Sequence, residues 1–214
     1  MTLYGYFRSS TSYRTRIAMN LKQLDYDYIA VNLAKDEQLE AAFQSINPQG
    51  LVPVLQVDDL WLYQSPAILE WLEEVYPEHP LLPKDVAARM QVRALSAMIG
   101  FDIHPLNNRR ILQYLRNELS VDEAKVMTWC QRWMNEGFAA LEKRLAQDKT
   151  RGKFCYGDRP TFADCYLIPQ VSSAERFKVY LSAYPNIVAI DAHCRTLKAF
   201  ADADPMVQPD APNA

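Results

Sequence analysis

The chain has 214 residues, 49% of them apolar and 23% charged, with a formal net charge of −3. Such a composition suits two modest domains with cores of their own and excludes disorder and fibre. The charge offers no general pull toward nucleic acid or an anionic membrane, and no apolar run approaches the roughly 20 residues that span a bilayer, so neither partner is expected.

Residues 2–7, TLYGYF, spell a short strand. Tyr13, Ile17 and Leu21 then recur at four-residue steps, the spacing of one helical face, and Ile29, Val31 and Leu33 alternate as a strand does. Together these make a βαβ unit. A second helix is expected from Glu37 to Ile46, stopped by Asn47-Pro48-Gln49-Gly50. LVPVLQV and DLWLYQ flank Asp58 and Asp59 as two strands of a hairpin, and Ser65 is placed to N-cap the helix of PAILEWLEEVY, with Pro66 at its first position. The order β-α-β-α-β-β-α ends at the proline-rich YPEHPLLPKD, which predicts a first domain over residues 1–81 and an all-helical second over 86–214.

In that second part, residues 85–117 and 122–147 carry helical apolar stripes. Thr161 stands three positions before Asp164, the pattern of a capping box. A last helix is expected from about Asn186 to Phe200, followed by a polar, proline-rich tail that reads as draped or frayed. Cys130, Cys155, Cys165 and Cys194 are scattered, with no C-x-x-C pair and no histidine pair beside them, which disfavours zinc and an in-chain dithiol couple. With no export signal visible at MTLYGYFRSS, reduced thiols and a cytoplasmic location are expected.

Three places can carry chemistry. Pro53 interrupts a strand-like run, which calls for either an edge strand or a cis Val52–Pro53 peptide. Ser65 after Gln64 can cap a helix, and the free N–H groups of that helix start also suit a carboxylate. Ser9, Ser10 and Thr11 offer one cap and two solvated hydroxyls, or else a cradle in which hydroxyls and a helix end hold a thiolate.

YFRSSTSYRTRIAMNLK, NPQGLVPVL, QSPAILEWLEE and SSAERFKVYLSAYPNI together resemble the zeta class of glutathione transferases, across nearly the whole chain. The resemblance implies the glutathione transferase fold, an α/β thioredoxin-like N-terminal domain followed by an all-α C-terminal domain. It also implies a homodimer, glutathione as cofactor, and the cis proline at Pro53. Carried over by position, Ser9 falls on the thiol-activating serine, with Ser10 and Thr11 completing the cradle of the sulfur. Val52 falls on the residue whose main chain pairs with the cysteinyl part, Gln64 and Ser65 on the holders of the γ-glutamyl end, and Gln38 on a further contact. His104, Asn108, Arg109 and Arg110 fall where a long helix approaches the cofactor. One departure is plain: the class usually has cysteine where this chain has Thr11.

The activity implied is the glutathione-dependent cis–trans isomerisation of maleylpyruvate by reversible thiolate addition to its double bond. The alternatives are isomerisation of maleylacetoacetate, general transferase chemistry, and a scaffold without chemistry. A small diacid needs fixed positive charge, and arginine binds carboxylates bidentately at any working pH. Arg8 and Arg176 are therefore expected as substrate contacts, with Arg110 as a further one, and Ser9, Ser10, Arg8 and Arg176 as the catalytic set. Arg14 and Arg16 are expected to brace the first helix against neighbouring carboxylates.

Overall fold

Strands β1 (Thr2–Gly5), β2 (Asp27–Ala30), β3 (Val54–Val57) and β4 (Leu60–Tyr63) form one sheet in the order β2-β1-β3-β4. The computed structural model describes residues 1–149 and 151–212. β1 runs parallel to β2, a pairing that needs a crossover, and helix α1 (Ser10–Leu21) supplies it. β3 pairs antiparallel with β1 (Leu3 opposite Leu55) and with β4 (Leu55 opposite Leu62). Alternation along these strands sends Leu3 and Leu55 into one cluster with Met19, Ile68 and Leu72, while Val54 joins Tyr6, Phe7, Val31 and Phe43 on the other side.

Because β3 lies inside the sheet, the edge-strand explanation of Pro53 falls away, and the Val52–Pro53 peptide is cis. The helix expected over 37–46 is split into a 3-10 turn (Glu37–Leu39) and α2 (Ala41–Ile46), since Glu40 is extended between them. Helix α3 (Ser65–Val75) starts one residue earlier than expected. Gln64, at φ 64° and ψ 108°, takes the N-cap position, Ser65 is the first helical residue, and no side chain caps the helix.

These elements form one unit, Met1–Leu81 together with the chain from Arg195 onward, and Leu82–Cys194 forms a second. The tail is therefore anchored to the first unit rather than frayed, and the helical unit ends at Cys194 rather than continuing to 214. The reason is a set of buried and half-buried polar groups that need partners. Arg16 Nε donates to the Ala203 carbonyl at 3.0 Å, Asn20 Nδ2 to that of Ala199 at 3.0 Å, and the Phe7 amide to Asp210 Oδ2 at 2.9 Å. Gln208 Nε2 donates to the carbonyls of Asp202 and Asp204, which folds the tail onto itself.

The second unit is helical. It contains α4 (Val86–Ala97), a π-helical segment (Met98–Ile103), a 3-10 turn (His104–Asn107), α5 (Arg109–Asn117), α6 (Glu123–Gln147), α7 (Phe162–Arg176) and α8 (Pro185–Arg195). The continuous helix expected over 85–117 is broken because Pro105 cannot donate to it and Asn108, extended at φ −67° and ψ 143°, caps a new one. Two glycines let the π-helical segment sit tightly against its neighbours. A Cβ on Gly100 would lie 2.5 Å from the Tyr166 ring, and one on Gly137 would lie 2.3 Å from Ile103. At the start of α7, Asp164 Oδ2 accepts from the Thr161 amide at 2.7 Å and its hydroxyl at 2.9 Å, while Oδ1 accepts from the Cys155 amide at 2.8 Å. No helix among the described residues is long and apolar enough to cross a membrane.

Candidate active site

The turn after β1 delivers Arg8 and Ser9 to the start of α1. Ser9 is the N-cap: its Oγ accepts from the Ser12 amide at 3.3 Å. Thr11 Oγ1 donates to the Val52 carbonyl at 3.0 Å and lies 2.9 Å from Ser9 Oγ. A threonine hydroxyl carries one proton, and the Val52 carbonyl takes it, so Ser9 must be the donor to Thr11. A directed chain results, from Ser9 to Thr11 to Val52. Ser10, half-buried, keeps a hydroxyl that has no partner among the described residues. Thr11 is therefore not an inert replacement for a cysteine, since it ties the hydroxyl turn to the loop at the cis proline.

Around that loop, the Val52 amide has no acceptor among the described residues. Gln38, 6% exposed, donates from Nε2 to Asp36 Oδ1 at 3.1 Å, while its buried Oε1 has no partner. The main chain of Gln38 packs against Gly50, two residues before Val52, where φ is +60° and a Cβ would meet the Gln38 carbonyl oxygen at 3.0 Å. Gln64 Nε2 donates to Gln49 Oε1 at 2.7 Å. Ser65 Oγ accepts from Arg14 Nη1 at 3.0 Å. In this unit Ser9, Thr11 and Val52 are joined by hydrogen bonds, and Gln38, Gln64 and Ser65 are fixed on neighbouring loops and on α3.

Arg14 and Arg16 are buried on α1, and Asp210 is an electrostatic neighbour of Arg16. Arg14 reaches a serine hydroxyl, and Arg16 donates to the carbonyls of Phe7 and Ala203 from a fully buried position. Burial pushes the Arg16 guanidinium below its ordinary pKa, with Tyr28, Tyr26, Tyr13 and Asp210 acting against the shift. Sequence reasoning gave Arg14 a bracing role only and missed its contact with Ser65. The available signal was its place one turn beyond the hydroxyl motif, beside Tyr13, on a helix whose middle is entirely buried.

In the second unit, His104 opens the 3-10 turn after the π-helical segment, and Asn108 Oδ1 accepts from the Arg110 amide at 3.2 Å. Arg109 Nη1 donates to Gln113 Oε1 at 3.0 Å, whereas Arg110 is exposed. Arg176, exposed in the last turn of α7, donates to Ser173 Oγ at 3.3 Å and holds its guanidinium 4.8 Å from the centre of the Phe177 ring. Arg8, exposed in the first unit, sits 5.8 Å from the Phe7 ring. All four cysteines are buried and none is in a disulfide among the described residues. Burial pushes the Cys130 thiol up to about 11, and those of Cys155 and Cys194 well above their ordinary value, so these offer no thiolate at neutral pH. No group of three or more metal-ligating side chains occurs among the described residues.

A four-stranded β2-β1-β3-β4 sheet with a cis proline before β3, a hydroxyl-capped α1 and a following helical unit define the glutathione transferase class. Residues 8–75 match the family model of the glutathione S-transferase N-terminal domain and residues 129–190 that of the C-terminal domain, and the chain belongs to this family. It is 55% identical to a maleylpyruvate isomerase of a Ralstonia species, over 99% of this chain and 100% of the relative. Among solved structures, the holo form of a maleyl pyruvate isomerase, described as a bacterial glutathione-S-transferase of zeta class, superposes with a TM-score of 0.98 at 55% identity, covering 99% of this chain and 100% of the other. A maleylacetoacetate isomerase from Methylobacterium extorquens AM1 with bound malonate and GSH superposes at 0.96, with 35% identity and coverage of 99% and 100%.

Proposed function

We propose that the chain catalyses the glutathione-dependent cis–trans isomerisation of maleylpyruvate to its trans isomer. One observation carries the cofactor reading: the first unit leaves bare the groups that a tripeptide satisfies. These are the Val52 amide, the buried Gln38 Oε1, and the start of α3, which no side chain caps. Peptide N–H and C=O groups, an ammonium and carboxylates would each find a partner there. In this reading Ser9, Ser10, Thr11, Gln38, Val52, Gln64, Ser65, His104, Asn108, Arg109 and Arg110 hold the cofactor. Full-length likeness to a maleylpyruvate isomerase supports the substrate, and malonate beside GSH in the Methylobacterium relative supports a small diacid.

Glutathione, when bound, supplies a thiolate that adds reversibly to a double bond conjugated with a ketone, removing the barrier to rotation. The chain's own residues prepare the anion. The α1 start offers amide N–H groups and the positive end of its dipole, and the Ser10 hydroxyl is uncommitted. Ser9 donates a hydrogen bond to Thr11, a neutral acceptor, and can turn that hydrogen bond to an anionic sulfur while keeping its proton, because a bond to a charged acceptor is roughly twice as strong. Thr11 stays engaged with Val52 meanwhile, which keeps the turn and the cis-proline loop in register.

Arg8, Arg110 and Arg176 bind the two carboxylates of the substrate and stabilise negative charge developing on its carbonyl oxygen. Arg109 and Arg110 stand in the first turn of α5, where a helix dipole disfavours cations, a placement that an anionic ligand offsets. The protein in this reading is a homodimer of the cytosol. The test is incubation with glutathione and purified maleylpyruvate or maleylacetoacetate, followed by the ultraviolet change on isomerisation. Faster turnover of maleylpyruvate is expected. Preference for maleylacetoacetate would reassign the substrate, and no turnover of either would overturn the proposal.

A further inference from the structure

We propose that Arg14 is a positioning residue for the anionic end of the cofactor: it occupies the acceptor side of the Ser65 hydroxyl and so fixes that hydroxyl as a donor. This rests on the glutathione reading above. Arg14 and Ser65 are each only 2% exposed, and Arg14 Nη1 donates to Ser65 Oγ at 3.0 Å. A guanidinium can only donate, so the contact leaves the serine proton pointing away from Arg14. Ser65 is the first residue of α3, Pro66 contributes no N–H, and no side chain caps the helix. The Ser65 hydroxyl, the Ser65 amide and the Ala67 amide then make a donor set at the positive end of a helix dipole, with a buried cation behind it.

A serine at a helix start more often spends its hydroxyl on its own backbone as an acceptor. Here the acceptor role is taken by a side chain from α1, 51 positions away in sequence. Burying a guanidinium is costly unless its bonds are well placed, and this bond runs to the helix start that the cofactor reading assigns to a carboxylate. Arg14 is three residues beyond Thr11, one turn along the same face of α1. The same short helix thus fixes the hydroxyl chain at Ser9, Thr11 and Val52 and the donor at Ser65, which sets the spacing between the thiol and the γ-glutamyl end of one ligand.

Calorimetric titration of glutathione and of cysteinylglycine, which lacks the γ-glutamyl part, into wild type, Arg14→Met, Arg14→Lys, Ser65→Ala and the double variant Arg14→Met with Ser65→Ala tests the proposal. Arg14→Met should weaken glutathione binding about tenfold, with partial recovery in Arg14→Lys, and should change cysteinylglycine binding less than twofold. In the Ser65→Ala background the same substitution should cost less than twofold. An equal loss in both backgrounds, or an equal loss for cysteinylglycine, overturns the role of Arg14. Should the Arg14 variants not fold, Ser65→Ala alone decides: it must lose about tenfold in glutathione affinity, and wild-type affinity overturns the proposal. Failure of the wild-type protein to bind glutathione would instead overturn the cofactor reading itself, and with it this inference.

Discussion

In the first unit, Thr11 reaches Val52, Arg14 reaches Ser65 and Arg16 reaches Ala203, bonds that span 41, 51 and 187 positions of sequence. In the second, the Arg109 side chain bonds Gln113 and that of Arg176 bonds Ser173, bonds that span four and three positions. The difference separates two kinds of binding surface. A side chain held by distant segments can move only if the fold moves, which preorganises the groups assigned to the cofactor. Arg176, which is assigned to the substrate alone, is expected to change without disturbing the cofactor groups of the first unit.

Separating the two surfaces by mutation puts this contrast at risk. The largest effect is expected for Arg176→Ala: kcat/KM for the cis diacid should fall on the order of 100-fold, because a charged hydrogen bond to a carboxylate is lost. Glutathione affinity and the denaturation midpoint should stay within error. Loss of glutathione binding in this variant would show that Arg176 serves the cofactor as well.

Next in size is Asp210→Ala, which strips the Phe7 amide of its acceptor and removes a carboxylate from the neighbourhood of buried Arg16. About 2 kcal/mol of stability should be lost, and glutathione should bind more weakly because Phe7 leads directly into Arg8 and Ser9. Urea denaturation and calorimetry on one preparation would check both. A change below about 0.5 kcal/mol would show that the tail does not clamp the turn.

The same division explains what could be read from sequence. Features governed by near neighbours were legible. Tyr13 and Ile17 mark the buried face of α1, with Leu21 half-buried at its end, Asp58 takes the positive φ of the hairpin turn, and Thr161 with Asp164 closes a capping box. Family resemblance placed the hydroxyl motif and the cis proline. Features governed by distant partners were not. The π-helical segment ahead of Pro105 packs Gly100 against Tyr166 of α7 and Ile103 against Gly137 of α6. The shift of the α3 cap from Ser65 to Gln64 follows from Arg14 claiming the serine oxygen. A polar tail that looks frayed becomes structure once Arg16 needs the Ala203 carbonyl and Phe7 needs Asp210.

Thr11→Val should cost about 1 kcal/mol, since the Val52 carbonyl and Ser9 each lose a partner while the volume is kept. Thr11→Ser restores both bonds and should behave as wild type. If valine raises the pKa of the bound thiol, seen as the ultraviolet absorbance of the thiolate against pH, the hydroxyl chain helps prepare the anion. If the pKa is unchanged while stability falls, Thr11 acts only on the loop.

The smallest effect at neutral pH belongs to the cysteines, whose silence is what a borrowed sulfur would allow. Burial raises the Cys130 thiol from 9.0 to about 11, so the unfolded chain releases this proton first as pH rises. Folded protein then binds more protons than unfolded, and stability falls with pH; the contribution is intact below about 9 and is lost on the way to about 11. Each such thiol steepens the fall by about 1.4 kcal/mol per pH unit in that window. Cys130→Ala should flatten the slope of unfolding free energy between those limits while leaving activity at neutral pH unchanged. An unaltered slope would mean that the thiol ionises in place, and lost activity in a folded, glutathione-binding variant would return the reactive sulfur to the chain.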